Sequence, residues 1–261
     1  MTLAHTHLVL IPSYNTGARL RETVLEALSA WPIVWIVIDG STDGSAAEMD
    51  ALATGSPGLR VLRLSRNSGK GAAVLHGLLA ARDAGFTHAL TMDADGQHPA
   101  GRIAAFMEES GRQPDAMVLG VPEFDASAPA LRVRGRRISN WWANFETGGA
   151  IDDSLFGFRV YPIEPLIAVM RRTRWMRRYD FDAEAAVRLC WRGVRAVNVP
   201  APVRYFLTEE GGVSHFKYGR DNVLLTCMHI RLALTAIFLR PRFPLRRLFS
   251  PPRKNASATR A

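Results

Sequence analysis

Asp93 and Asp95 stand two residues apart, directly after the apolar run Ala89 to Met92, and Gln97 follows two residues later. In extended backbone, residues two apart point the same way, so both carboxylates can face one point. Two carboxylates and an amide carbonyl form an all-oxygen donor set that suits Mg²⁺ or Mn²⁺ better than zinc. Waters or substrate phosphates would complete such a shell. The plainer use of these residues is a solvated acidic turn capping a helix that Pro99 opens. Three more polar loops follow apolar runs: Pro12-Ser13-Tyr14-Asn15, the stretch from Asp39 to Gly44, and the stretch from Ser65 to Gly71 that carries Lys70. Each alone says little. Four on one edge of one sheet would make a site able to hold nucleotide and metal.

The Lys70 loop is not a Walker A loop, since Leu64 stands at its required first glycine and Gly71 at its Ser/Thr position. Val74 also breaks the dinucleotide fingerprint. His98 fits either a further metal ligand or a turn residue, the turn being the commoner use.

These loops need a frame to hold them. Strand-like runs at Leu8 to Ile11, Ile33 to Ile38, Leu59 to Leu64, His88 to Met92 and Ala116 to Leu119 alternate with helical patterns at 18–30, 45–54, 71–84 and 99–112. Such alternation predicts an α/β fold with a parallel sheet wrapped by helices. Ligands of such sheets bind beyond the carboxyl ends of the strands, where the four loops fall. From 121 to 150 the pattern loosens into an arginine-rich stretch with Arg132, Arg134, Arg136 and Arg137, then Trp141-Trp142, for which packing is the ordinary use. A strand-like run returns at Leu155 to Tyr161, then a helix over 180–192 closed by Gly193, then strands near Val194 to Val199 and Val203 to Leu207.

The 261 residues, 48% hydrophobic and 22% charged, suit one core with a small appendage and exclude disorder over most of the chain. Two cysteines are too few for a disulfide framework or a structural zinc site, which fits a reducing compartment. The first residues lack the basic and apolar regions of a secretory signal. The net charge of +9 is a tail property: from Asn222 onward there are eight Arg or Lys and no Asp or Glu. A basic tail beside an apolar segment points to an anionic membrane surface rather than to nucleic acid, which favours a basic stripe on a folded face. The uncharged stretch Leu232 to Leu239 is too short for a bilayer span of ~20 residues. An amphipathic helix over 223–239 is expected, followed by Arg240, Arg242, Arg246 and Arg247, and it would either lie in the lipid interface or pack on the domain. The expected organisation is a domain over 1–210, an amphipathic membrane-proximal segment over 211–249 and a disordered basic tail over 250–261.

In order along the chain, Ile11 to Asn15, Val37 to Gly44, Asn67 to Gly71, Asp93 to Pro99 and, more weakly, Asp153 to Arg159 resemble family 2 glycosyltransferases, specifically the polyprenyl-phosphate sugar transferases. The resemblance covers about residues 7–205 and implies the GT-A fold: a mixed central sheet with helices on both faces. It implies an inverting transfer of sugar from a nucleoside diphosphate donor to a lipid-linked acceptor, polyprenyl phosphate or lipid hydroxyl. The enzyme would be peripheral on the inner face of the cytoplasmic membrane, serving a bacterial envelope. Residue by residue, Pro12, Tyr14 and Asn15 would border the base, Asp39 would bond base or ribose, and Lys70 would lie near the nucleotide. Asp93, Asp95 and Gln97 would hold Mg²⁺ or Mn²⁺ on the diphosphate. Tyr179 to Glu184 resembles the later acidic motif, with Asp182 as the carboxylate facing the acceptor; a helix N-terminal acid is its plainer use. Arg136, Arg137 and Arg159 would position an ionised acceptor, or form a solvated face. Ile38 replaces an acid common in the family, and Phe156 stands where the lipid-phosphate branch has a small residue. The rival readings are a sugar-phosphate nucleotidyltransferase and a non-catalytic membrane or nucleic-acid adaptor.

Overall fold

The computed structural model describes residues 3–124, 130–204 and 218–239. Seven strands form one sheet in the order β3-β2-β1-β4-β6-β5-β7. They are β1 (His7–Ser13), β2 (Val34–Asp39), β3 (Leu59–Leu64), β4 (His88–Thr91), β5 (Ala116–Glu123), β6 (Arg159–Pro162) and β7 (Arg195–Pro202). Between them run α1 (Arg19–Ala30), α2 (Ser45–Thr54), α3 (Lys70–Asp83), α4 (Ile103–Arg112), α5 (Ala130–Thr147), α6 (Ile163–Arg171) and α7 (Phe181–Trp191), and α8 (Tyr218–Leu239) follows β7.

The central strands are apolar throughout because both faces are covered. Along β1, Leu8 and Leu10 enter one core and Val9 and Ile11 the other. The first core is filled from α3, α6, α7 and α8, and the second from α1, α2 and α4. Helix α1 shows why: Leu20, Thr23, Val24 and Ala27 form its buried stripe. Edge strand β3 is half-buried and turns Arg60 and Arg63 outward.

Six strands are parallel, and β6 runs antiparallel to both β4 and β5. The sheet is therefore mixed, as the family resemblance implies, and not the all-parallel sheet that alternation alone predicts. The reason is local. After α5 the chain re-enters the sheet from its carboxyl edge, with Arg159 paired to Thr91 at the end of β4, so β6 runs opposite to its neighbours. The loose stretch from 121 to 150 contains the end of β5 and the whole of α5. Only Arg159–Pro162 of the run expected from Leu155 is strand, because the residues before it form a turn on Asp153. Helix α6 lacks a counterpart in the sequence reading. Helix α7 ends near the expected Gly193, which takes φ +87, a left-handed geometry that glycine adopts without strain. Strand β7 ends at Pro202; Val203 and Arg204 are not strand, and the rest of the run expected to Leu207 lies outside the described residues. The 210/211 boundary, Arg240, Arg242, Arg246, Arg247 and the 250–261 tail also lie outside them.

Candidate active site

The loops that leave β1, β2, β3 and β4 open into one cavity of about 1000 Å³. Pro12, Tyr14, Asp39, Lys70, Asp93, Asp95 and Gln97 all line it. Asn15 does not, and works as a staple instead. Its backbone sits at φ +46, its N–H donates to Ser41 Oγ (3.0 Å), and its Oδ1 accepts from the Thr42 N–H (2.8 Å). Asp39 is also tied to the scaffold: its two oxygens accept the N–H groups of Ser68 (2.8 Å) and Gly69 (2.7 Å), fixing the start of α3.

That anchoring brings Lys70, the first residue of α3, between two acids from distant parts of the chain. Its Nζ lies 2.6 Å from Asp93 Oδ1 and 2.6 Å from Asp182 Oδ2. Burial opposes the charge on Lys70, but Asp182 and Asp93 outweigh it and raise its pKa. Burial also works against a charged Asp93, yet Lys70 and then His98 hold its carboxyl below the usual range. Asp182 moves the other way, raised by burial against the pull of Lys70, and its Oδ1 is buried without a hydrogen-bond partner. Gly157 backs this group. A Cβ there would sit 2.7 Å from Lys70 Nζ and 3.0 Å from Asp93 Oδ2, so a larger residue would push the ammonium aside.

Asp95 accepts the Gln97 N–H through Oδ1 (3.1 Å). Burial, and then the like charge of Asp93, push its carboxyl up to about 7. Two carboxylates crowded on one wall of an open cavity form a site that a divalent cation would relieve, and their all-oxygen chemistry fits Mg²⁺ or Mn²⁺. Among the described residues no group of three or more His, Cys, Asp or Glu is placed to hold an ion. Two carboxylates leave positions on an ion for substrate oxygens and water. His98 takes the turn role. Its Nδ1 accepts the Asp93 N–H (2.9 Å), its ring lies against Phe156 and Phe158, and burial lowers its pKa to about 4. Phe156 likewise faces the core, beside His98 and Gly120, and is not part of the cavity wall.

The cavity wall also carries basic residues. Arg136 lines it and is oriented by Asp153 Oδ1 at 2.6 Å. Arg137 is exposed and off the wall. Arg159 corrects an expectation: it is fully buried, and its guanidinium donates to the carbonyls of Phe156, Asp153 and Asp182 and to the Tyr161 hydroxyl. It braces the turn that presents Asp182 and does not face an acceptor. Arg134, Arg178 and Arg220 line the cavity too, with Arg178 packed against Gly69 at the start of α3, and the sequence reading missed all three as site residues. Their one signal was position, since Arg178 precedes the acidic motif and Arg220 opens the C-terminal helix. Ile138, Trp142 and Leu225 supply apolar wall. Trp141, the other half of the tryptophan pair, is exposed.

Helix α8 forms part of this wall, held by polar pairs. His229 Nδ1 lies 3.0 Å from Glu146 and its Nε2 2.8 Å from Ser139 Oγ, while Arg231 pairs with Glu184. The helix is long and apolar enough to cross a membrane by length and composition. Yet Leu225, Met228, Leu232 and Ala236 are buried on the domain, and Val223, Ile230, Leu234, Ile237 and Phe238 face outward.

A mixed sheet in this order, with acid-bearing loops at its carboxyl edge, has the architecture of the GT-A fold. The chain belongs to glycosyl transferase family 2, whose sequence profile matches residues 8–172. It is 30% identical over 223 residues to a polyprenol monophosphomannose synthase of Mycolicibacterium smegmatis, covering 79% of each chain. It is 28% identical over 232 residues to an undecaprenyl-phosphate mannosyltransferase of Micrococcus luteus, covering 81% of this chain and 88% of that one. Among solved structures, glucosyl-3-phosphoglycerate synthase from Mycobacterium tuberculosis, in complex with Mn²⁺, uridine diphosphate and glucosyl-3-phosphoglycerate, superposes with a TM-score of 0.62. The identity is 16%, over 87% of this chain and 80% of that one, so the likeness is one of fold. Family membership decides against the nucleotidyltransferase and adaptor readings.

Proposed function

We propose that the protein moves a sugar, with inversion, from a nucleoside diphosphate sugar to a polyprenyl phosphate at the inner face of the cytoplasmic membrane. One observation carries this reading: a single cavity is lined by carboxylates, by arginines and by apolar side chains together. The names of the two relatives, both acting on polyprenol or undecaprenyl phosphate, support the acceptor class. The Mn²⁺ and uridine diphosphate of the glucosyl-3-phosphoglycerate synthase structure support the donor class. The outward apolar face of α8 supports a lipid surface nearby.

In this reading Pro12 and Tyr14 border the base, and Asp39 reaches the ribose or base with the lone pairs its backbone bonds leave free. Asp93, Asp95 and Gln97 would hold a divalent ion, which would supply positive charge against the charge that develops on a departing diphosphate. The acceptor oxygen attacks the anomeric carbon as the bond from that carbon to the diphosphate oxygen breaks. A phosphate acceptor is already ionised, so Arg136 with Arg134, Arg178 and Arg220 need only orient it. A lipid hydroxyl would instead have to lose a proton, and Asp182, on the cavity wall, is the group that would take it in that reading.

The test offers labelled nucleoside diphosphate sugars with polyprenyl phosphate or the matching polyprenol, with Mn²⁺ or Mg²⁺ and then with a chelator. Transfer to the phosphate alone, lost on chelation and restored by metal, is expected. Equal transfer to the neutral alcohol would favour the Asp182 reading, and transfer indifferent to the chelator would remove the metal.

A further inference from the structure

Lys70 occupies the position where a cation is most wanted. Its ammonium is nearly buried, at 13% side-chain exposure, and bridges Asp93 Oδ1 to Asp182 Oδ2 at 2.6 Å each. The bridge joins distant parts of the chain, since Asp93 leaves β4 and Asp182 opens α7. Gly157 lets the ammonium and Asp93 approach together from behind. Asp182 keeps a second, buried oxygen without a hydrogen-bond partner. An ammonium has three donors and no acceptor, and two are used here. The third suits an oxyanion.

We propose that Lys70 is a tethered counter-cation that holds Asp93 against free metal until the donor arrives. This rests on the reading of Asp93 and Asp95 as metal ligands. A divalent ion on Asp93 Oδ1 would displace the ammonium or sit beside it, and two cations at that range repel. A diphosphate changes the balance by offering the ammonium new oxygen partners and bringing the negative charge that a second cation needs. Metal and donor therefore enter together, each tightening the other by the same factor, as linkage requires. A site left open to metal would gather ions without substrate; a lysine on a flexible stem prevents that and remains as a phosphate ligand afterwards. Lys70 thus acts as a positioning residue that sets the order of binding.

The full chain is titrated with Mn²⁺ alone and with Mn²⁺ plus UDP or GDP. Bound ion is read from the loss of the free Mn²⁺ resonance signal, and stability from thermal melting. Wild type is expected to take up Mn²⁺ at least ~10-fold more tightly with one of the nucleotides than without. Lys70→Met is expected to bind Mn²⁺ alone at least ~10-fold more tightly than wild type, with a larger rise in Tm on adding it. If that variant is too unstable to titrate, Lys70→Gln is read the same way, and recovery of folding by Mn²⁺ in either counts in favour. Unchanged or weaker metal binding in the folded variants, beside clear nucleotide-dependent uptake by wild type, overturns the proposal and spares the metal reading. No uptake by wild type with either nucleotide overturns both.

Discussion

Two parts of the cavity wall are built in different ways. One part comes from short loops directly after strands, where Asp39 and Asp95 accept main-chain N–H groups. The other part comes from helices α5 and α8, tied to each other and to α7 across long sequence separations by side-chain pairs such as Glu146–His229 and Glu184–Arg231. Backbone anchoring fixes a group wherever the strand goes. Helix-borne groups keep their places only while the helices stay docked. Substitutions on the strand loops should therefore damage chemistry while sparing the fold, and substitutions on the helices should damage both.

The largest effect is expected at Asp95→Ala, which should lower kcat by about 10²- to 10³-fold while leaving the melting temperature close to wild type. Steady-state rates at saturating Mn²⁺, beside a melting curve, check both halves; near-normal turnover would break the contrast. Arg231→Met should be the reverse case. It leaves Glu184 only Arg188, and should cost about 2 kcal/mol in urea unfolding and raise the KM for acceptor more than that for donor. Arg136→Ala should lower kcat/KM for the acceptor about tenfold with donor binding unchanged, because a single charge-assisted contact is lost. Arg137→Ala, one residue on but off the cavity wall, should stay within about twofold of wild type.

A smaller effect lies away from both parts. His7 and His88 stack at 4.4 Å at the start of β1 and β4, and burial followed by His88 lowers the His7 pKa to about 4. The unfolded chain, with His near 6.5, takes up that proton first. Stability from this pair is therefore full above pH 6.5 and is lost as pH falls toward 4. Melting curves from pH 7 to 4.5 should fall a few degrees further in wild type than in His7→Gln. Equal falls would show that acid acts elsewhere.

The same contrast explains what could be read from the sequence. Strands β1 to β4 and their loops were legible because apolar runs end where polar, glycine-bearing loops begin. Helix α2 matches its expected bounds, 45–54, and β3 runs from Leu59 to Leu64 as expected. Helix α5 was not legible because its buried face is mostly polar: Ser139, Ala143 and Glu146 are spaced as a helical stripe, but only one is apolar. Hydrophobic periodicity cannot register a face satisfied by hydrogen bonds. Arg159 misled for the converse reason. In sequence it is one more arginine near an acidic motif; in the fold it is sealed among carbonyls. The twofold character of α8, docked on one side and bare on the other, was only half visible as amphipathicity, since both faces carry large apolar residues.

Strand β4 sits inside the sheet, bonded to β1 on one side and to β6 on the other, while β3 and β7 form its rims. Opening fluctuations begin at such rims and reach interior strands last. In deuterated water the amides of Leu90 and Thr91 should thus be among the slowest to exchange, long after those of Leu59–Leu64. The loop carrying the acid pair hangs from the part of the molecule that breathes least, so the spacing of Asp93 and Asp95 should outlast partial melting of everything around it.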